Sequence, residues 1–137
     1  TVFCGVLDLR TGVVEYSDGG HEPPFLIRNG QSVEMLDKKG GVALGFLPDC
    51  AFPTGYIQLR PGDSLILYTD GVNEAFDTDR RMFRPSGIQD ALNACTSDSS
   101  AEQVVRGLSE SLRQFVGAAP QSDDITVLAL KYVGTMS

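Results

Sequence analysis

A chain of 137 residues is long enough to form one domain with its own hydrophobic core, and 42% of its residues are hydrophobic. The formal net charge of -7 comes from 18 acidic and 11 basic residues, and the basic residues do not cluster. An acidic surface without a basic stripe argues against nucleic acids and anionic membranes as partners. No apolar run approaches the ~18 residues that a membrane span requires.

Three cysteines, Cys4, Cys50 and Cys95, lie far apart among apolar or small neighbours. There is no Cys-x-x-Cys pair, which argues against a zinc site and against a disulfide framework. We therefore expect buried free thiols, a reducing compartment and a cytoplasmic protein. No signal peptide is recognisable and the chain begins without Met, so we expect a fragment of a longer protein.

The first 70 residues predict strands joined by tight turns. Apolar residues that alternate or run continuously predict strands over 2–9, 13–16, 25–28, 32–36, 56–59 and 64–69. Asn29-Gly30 predicts a hairpin turn, because both central residues of such a turn take positive φ. A second hairpin is expected around the turn 60–63. Segment 40–49 (GGVALGFLPD) is glycine-rich and mostly apolar, and we expect it to form a packed loop.

The second half of the chain predicts two helices and a closing strand. Ser86 with Gln89, and Ser99 with Glu102, resemble capping boxes that begin helices. Apolar residues at helical spacing follow each box, and a glycine and a proline at 117 and 120 end the second helix. Residues 125–133 predict a largely buried last strand. Many antiparallel strands followed by two helices and one strand indicate an α+β layered domain.

Two of the predicted strands meet carboxylates at one terminus. The strand over 64–69 runs into Asp70-Gly71, and Asp123-Asp124 precede the strand over 125–133. If these strands are antiparallel neighbours, Asp70 and Asp123 converge within reach of one cation. Mg²⁺ and Mn²⁺ favour carboxylate and water oxygens. Two such ions ~3.5–4 Å apart can activate a water and clamp a phosphoryl group.

The residue pattern alone leaves other interpretations open. Asp-Gly is a common turn dipeptide, and Asp-Asp before a strand is often a solvated loop. His21, the only histidine, has no Ser or Cys nucleophile motif beside it and fits a loop-structuring role. The glycines at 40, 41 and 45 are not followed by the Gly-Lys-Ser/Thr of a phosphate-binding loop.

Four blocks of sequence, in order, resemble the SpoIIE/RsbU-type bacterial serine phosphatases, a branch of the metal-dependent PP2C-like protein phosphatases. The blocks are GVLDLRTGVVEYSDGGHEPPFLIRNG, GGVALGFLPD, LRPGDSLILYTDGVNEA and PQSDDITVLALKY. The resemblance implies an α+β fold that is part of a PP2C-like α-β-β-α sandwich, with mainly antiparallel sheet and two C-terminal helices. It also implies two Mn²⁺ or Mg²⁺ ions at one end of the sheets.

The resemblance implies that Asp70 and Asp123 are metal ligands and catalytic residues, and that Gly71, Asp124 and His21 support them. It implies a serine/threonine phosphatase whose substrate is a phosphorylated anti-anti-sigma-type regulator. One alternative is a degenerate phosphatase fold that binds a partner without catalysis. Another is an unrelated α+β domain whose acidic residues form turns.

Two departures from the family pattern bear on these expectations. Ser17-Asp-Gly-Gly-His21 replaces the usual Asn-Ala-Gly-His, and the family's further Asp ligands, one of them in an Asp-x-x-Gly-x-Gly motif, have no match here. We therefore expect residues 1–137 to be a single domain, the C-terminal portion of a phosphatase domain whose N-terminal part is absent. Because a truncated sandwich exposes a sheet face, we expect a homodimer or association with the N-terminal half.

Overall fold

The computed structural model describes residues 1–29, 32–96 and 98–135. No helix among them is both long and apolar enough to cross a membrane. The strands are β1 (Val2–Leu7), β2 (Val13–Gly19), β3 (Phe25–Ile27), β4 (Val33–Met35), β5 (Thr54–Gln58), β6 (Ser64–Tyr68) and β7 (Val127–Lys131). The helices are α1 (Asp70–Asn73), α2 (Arg84–Asn93) and α3 (Ala101–Val116).

The strands form two antiparallel sheets that stack face to face. Three strands pair in the order β1-β2-β5, and four pair in the order β4-β3-β6-β7. Successive side chains of a strand point to opposite faces. In the second sheet, Leu26 and Leu65 pack toward the first sheet, whereas Phe25 and Ile66 pack toward α2 and α3. The core therefore has two layers, one between the sheets and one beneath the helices.

This arrangement confirms the predicted α+β fold with mainly antiparallel sheets and two longer helices in the C-terminal half. The described helices pack against the second sheet or against one another. Within the described ranges the outer face of the β1-β2-β5 sheet has no helical layer, and it exposes Val6 (69%) and Tyr56 (68%). The residues described thus form three of the four layers that the resemblance implies. Association through the exposed face stays a prediction.

One of the two predicted hairpins is confirmed and the other is wrong. β3 and β4 pair antiparallel with Ile27 opposite Val33, but Asn29 lacks the positive φ expected of it, and Gly30 lies outside the described residues. Residues 60–63 do form a turn, with Asp63 N donating to Arg60 O at 2.9 Å. The strands on either side of it, however, do not pair: β5 belongs to the first sheet and β6 to the second. The turn therefore carries the chain from one sheet to the other.

Both predicted helix starts are wrong. The helix α2 begins at Arg84 without a side-chain cap. Pro85 in its first turn has no N–H and so leaves one donor fewer to satisfy. The helix α3 has its capping box one residue later than predicted, at Ser100 and Gln103. Ser99 Oγ instead accepts a hydrogen bond from Thr96 N at 3.1 Å. The predicted end of α3 at Gly117 is confirmed.

Three expectations of burial are wrong in whole or in part. Segment 40–49 is only partly packed: residues 40–44 lie against 18–20, but Phe46 is 75% exposed and Leu44 59% exposed. The last strand spans only Val127–Lys131, and Leu128 within it is 52% exposed, because the narrower first sheet leaves it uncovered. The three cysteines are free thiols, as predicted, but Cys4 is exposed and the other two are half-buried.

A buried carboxylate anchors the turn between the two sheets. Asp63 is 1% exposed and accepts hydrogen bonds from Asn29 N at 2.8 Å, Arg60 N at 2.9 Å and Arg28 Nη1 at 3.0 Å. Burial raises the pKa of Asp63, but the two backbone donors and the Arg28 guanidinium lower it by more, so the net pKa lies below the ordinary value. The ionised form is therefore the one that the fold stabilises.

Replacing Asp63 with Asn should lower the free energy of unfolding by about 2–3 kcal/mol at pH 7, because a buried charge-assisted network loses its charge. A carboxylate with a lowered folded-state pKa stabilises the fold above its unfolded pKa of ~3.9 and loses that contribution as the pH falls through the folded value. The difference between wild type and Asp63→Asn should therefore shrink below pH ~4. Urea unfolding from pH 3 to 7 measures it, with the exposed Asp90→Asn as control. Equal stability of wild type and Asp63→Asn at pH 7 would contradict this role.

Candidate active site

The pairing of β6 and β7 brings the two acidic motifs together. The strands are antiparallel neighbours, as predicted, and their last pair is Tyr68 opposite Val127. Asp70 follows the end of β6, and Asp123 precedes the start of β7. Both motifs therefore lie beyond the same end of the two central strands.

Thr69 binds the two motifs to each other. Its N donates to Thr126 O at 3.1 Å, and its Oγ1 donates to Asp124 O at 3.0 Å. The same Oγ1 accepts from Thr126 N at 3.0 Å. One hydroxyl thus acts as both donor and acceptor, which fixes the backbone beside Asp70 against the backbone beside Asp123. Thr69 is a site residue that was not predicted; a hydroxyl residue directly before the strand-terminal Asp was the available signal.

Gly71 lies against the backbone of the other motif. It is buried, and a Cβ atom added to it would overlap Asp124 O and lie 2.9 Å from Asp124 C. The atoms in the way are backbone atoms that Thr69 holds in place, so they cannot rotate aside. Any side chain at position 71 would therefore push the two acidic motifs apart. This close approach is a structural reason for the predicted supporting role of Gly71.

The carboxylates of Asp70 and Asp123 are available to solvent. Both residues are exposed, and each uses one oxygen for the next backbone N–H: Gly71 N lies 3.0 Å from Asp70 Oδ1, and Asp124 N lies 2.7 Å from Asp123 Oδ1. Among the described residues, no hydrogen bond engages the second oxygen of either carboxylate. One oxygen of each is therefore oriented by the backbone while the other is free to bind a ligand.

These two carboxylates fit a divalent cation of the magnesium type. Such an ion takes one or two carboxylates and completes its coordination with water or substrate oxygens. The hydrogen bonds of Thr69 hold the backbones of the two motifs together, and they leave one oxygen of each carboxylate without a hydrogen bond. Across residues 1–29, 32–96 and 98–135, no group of three or more His, Cys, Asp or Glu side chains is placed to hold a metal ion. An ion shared by Asp70 and Asp123 therefore stays a prediction.

His21 and Asp18 organise a neighbouring loop. Asp18 is 5% exposed, and its Oδ1 accepts from His21 N at 2.7 Å. The His21 ring lies 3.4 Å from Thr1 Oγ1, and among the described residues no hydrogen bond joins it to Asp70 or Asp123. The segment Ser17-Asp-Gly-Gly-His21, which departs from the family pattern, therefore stabilises its own loop. Support of the acidic pair by His21 stays a prediction, as does support by the exposed Asp124 side chain.

A polar cluster that sequence reasoning missed lies between this loop and α1. Asn73 Nδ2 lies 3.5 Å from Glu22 Oε2, at the limit of a hydrogen bond. Tyr68 OH and Asn73 Oδ1 are buried without a hydrogen-bond partner among the described residues. Burial raises the pKa of the Tyr68 hydroxyl strongly, and the negative charge of Glu22 raises it further. Tyr68 therefore stays protonated beneath the strand end that leads to Asp70.

Comparison with known proteins identifies the family. The family model described as stage II sporulation protein E (SpoIIE) matches residues 1–133. Protein IcfG of Synechocystis sp. is 32% identical over 131 residues, which cover 95% of this chain and 20% of that protein. Phosphoserine phosphatase RsbU of Bacillus subtilis is 25% identical over 131 residues, which cover 96% of this chain and 38% of RsbU. The chain therefore spans well under half the length of these relatives.

Solved structures share the fold. The RsbU and RsbW domains of a Mycobacterium tuberculosis protein match 98% of this chain and 36% of that chain, at 28% identity and a TM-score of 0.75. The phosphatase domain of SpoIIE from Bacillus subtilis, presoaked with Mn, matches 100% of this chain and 58% of that chain, at 19% identity and a TM-score of 0.75. The fold is thus that of PP2C-like phosphatase domains. Because the family model spans 133 of the 137 residues, this chain belongs to the SpoIIE family of PP2C-like phosphatase domains.

Proposed function

We propose that this chain forms part of a metal-dependent protein phosphatase that hydrolyses phosphoserine or phosphothreonine. The observation that supports the proposal most is the fixed contact between the two acidic motifs through Thr69 and Gly71. Thr69 continues the pairing of β6 with β7 by one residue, and its hydroxyl adds a hydrogen bond to Asp124 O, so both acidic motifs lie at one end of the sheet. The Bacillus subtilis relative that covers 96% of the chain is named a phosphoserine phosphatase.

In this proposal Asp70 and Asp123 are the catalytic residues, because their free carboxylate oxygens hold a shared Mn²⁺ or Mg²⁺ ion. When bound, paired ions of this kind lower the pKa of a water and neutralise charge on phosphoryl oxygens. Thr69 holds the backbones beside the two carboxylates together, Gly71 leaves room for Asp124 O, and Asp124 contributes the carbonyl that Thr69 binds. Two carboxylates alone cannot fix two ions, so the chain of residues 1–137 by itself should have little or no activity.

The proposed substrate is a phosphorylated anti-anti-sigma-type regulator. Support comes from the RsbU-type relatives in the comparisons, which cover nearly the whole of this chain. The net charge of -7, with no basic cluster, favours a protein substrate over a nucleic acid. The alternative is a degenerate phosphatase fold that binds a partner without catalysis. One observation favours this alternative. Within the described residues, no group of three or more His, Cys, Asp or Glu side chains is placed to hold a metal ion.

The test compares the full-length gene product with residues 1–137 alone. We expect the full-length protein to hydrolyse p-nitrophenyl phosphate and a phosphorylated anti-anti-sigma protein with Mn²⁺, and to lose both activities with EDTA. Residues 1–137 should hydrolyse neither at a measurable rate. If the full-length protein binds Mn²⁺ in calorimetry but hydrolyses no phosphoester, the binding-module alternative replaces the proposal. If it binds no Mn²⁺ and hydrolyses neither substrate, the metal site and the enzyme assignment are both wrong, and the degenerate binding module is favoured instead.

A further inference from the structure

A cavity of about 330 Å³ lies between α1, the end of α3 and the loop over 117–125. Its lining is mostly apolar and includes Phe76, Leu112, Val116 and Ile125. A space of this size is at the small end of ligand pockets, large enough for one or two side chains and too small for a folded partner. The cavity therefore fits a short apolar part of a larger ligand.

The cavity adjoins both candidate metal ligands. Gly71, which follows Asp70, lines it, and so does Ser122, which precedes Asp123. A shallow surface depression lined by residues 121–124 shares Gln121 and Ser122 with the cavity. An extended peptide advances about 3.3–3.6 Å per residue. A phosphoserine bound to a metal ion on the two carboxylates would therefore place its immediate neighbours in the chain within reach of the cavity.

Arg113 gives the cavity a positive charge on an otherwise acidic protein. It lines the cavity, it is exposed, and its guanidinium makes no ion pair or hydrogen bond within the described parts of the chain. Arg106, the other arginine of α3, is instead paired with Glu102 at 2.8 Å. An uncommitted guanidinium beside an apolar cavity is complementary to a carboxylate next to an apolar side chain.

We propose that this cavity recognises the residues that flank the phosphoserine of a protein substrate. An apolar side chain of the substrate enters the cavity, and an adjacent carboxylate of the substrate pairs with Arg113. The inference rests on the proposed phosphatase function and adds a substrate preference to it. It predicts a preference for phosphoserine beside apolar and acidic residues over phosphoserine beside glycine.

The test measures kcat/KM of the full-length protein for three phosphoserine peptides: one with an apolar and an acidic flank, one with an apolar and a lysine flank, and one with glycine flanks. We expect the apolar–acidic peptide to exceed the glycine peptide about tenfold. Ala119→Trp, which fills the cavity, should bring that ratio close to one. Arg113→Ala should reduce the preference for the acidic over the lysine peptide about 2–5-fold.

Matched control variants distinguish an effect of the cavity from a general effect on α3 or on the turn that follows it. Ala118→Trp alters the exposed neighbour of Ala119 outside the cavity, and Arg106→Ala removes the other arginine of α3; both should keep the wild-type ratios. Two results would overturn this inference and leave the phosphatase assignment standing. One is an equal kcat/KM for all three peptides. The other is a kcat/KM ratio between peptides that changes as much in the control variants as in the cavity variants. Absence of hydrolysis of every peptide and of p-nitrophenyl phosphate would remove the phosphatase assignment, and this inference with it.

Discussion

Replacing Asp70 with Asn in the full-length protein should lower kcat for a phosphoserine substrate at least about 100-fold. The amide keeps the size of the carboxyl group and can still accept the hydrogen bond from Gly71 N at 3.0 Å. It lacks the charge that holds a divalent ion, and losing such an ion removes several kcal/mol of transition-state stabilisation. Asp123→Asn should have a similar effect, because the two carboxylates share the ion.

The fold itself should not depend on Asp70. The residue is exposed, so Asp70→Asn should change the free energy of unfolding by less than about 0.5 kcal/mol. The control is Asp90→Asn, which removes an exposed carboxylate of α2 and should keep wild-type kcat and Mn²⁺ affinity. Calorimetry with Mn²⁺ should show weakened binding for Asp70→Asn and for Asp123→Asn, but not for Asp90→Asn. Full activity of Asp70→Asn would contradict its assignment as a ligand.

Gly71→Ala should separate the two acidic motifs without altering a single charge. The added Cβ would overlap Asp124 O, which Thr69 Oγ1 holds at 3.0 Å, so the backbone has to shift. Forced overpacking of this kind costs about 1–3 kcal/mol of stability. Displaced supporting groups typically lower metal affinity about 10–100-fold. We therefore expect a moderately destabilised protein whose Mn²⁺ affinity falls by that factor, measured by thermal unfolding and calorimetry.

The chain supplies a matched control in Gly41. A Cβ atom at Gly41 would meet no atom within 4 Å, and the backbone there has no positive φ. Gly41→Ala should therefore leave both stability and Mn²⁺ affinity near the wild-type values. If Gly71→Ala behaves like Gly41→Ala in both measurements, the contact between the two acidic motifs does not position the candidate ligands.

The part of the site that could be predicted from the sequence is the part that strand pattern determines. An apolar strand that ends at Asp70, and a second strand that Asp123 precedes, place two carboxylates at one end of a sheet if the strands pair antiparallel. Hydrophobic periodicity finds the strands, and the order of the four sequence blocks gives the family and with it the layers. These features can be predicted without knowing which side chains distant in sequence are in contact.

The remaining features depend on contacts between residues distant in sequence. Thr69 binds Asp124 and Thr126, more than fifty residues away, and its position directly before a strand-terminal Asp does not identify those partners. The role of Asp63 likewise appears only once β3 and β6 are paired, since Arg28 and Asn29 are its partners. Sequence reasoning assigned Asp63 to a hairpin turn because the local residues fit one.

The burial of side chains was the least predictable property, because an apolar composition does not show whether another element packs over the apolar residues. Segment 40–49 has the residues of a packed loop, but Phe46 and Leu47 are exposed. Leu128 lies in a core strand and is still exposed, because the first sheet has three strands and the second has four. Neither outcome follows from the residues themselves.

Anomalous diffraction from Mn²⁺-soaked crystals of the full-length protein tests the shared-ion assignment most directly. We expect a manganese peak bonded to one carboxylate oxygen of Asp70 and to one of Asp123. A peak bonded to only one of these residues or to neither, with the two carboxylates too far apart for a single hydrated ion to bridge, would contradict it.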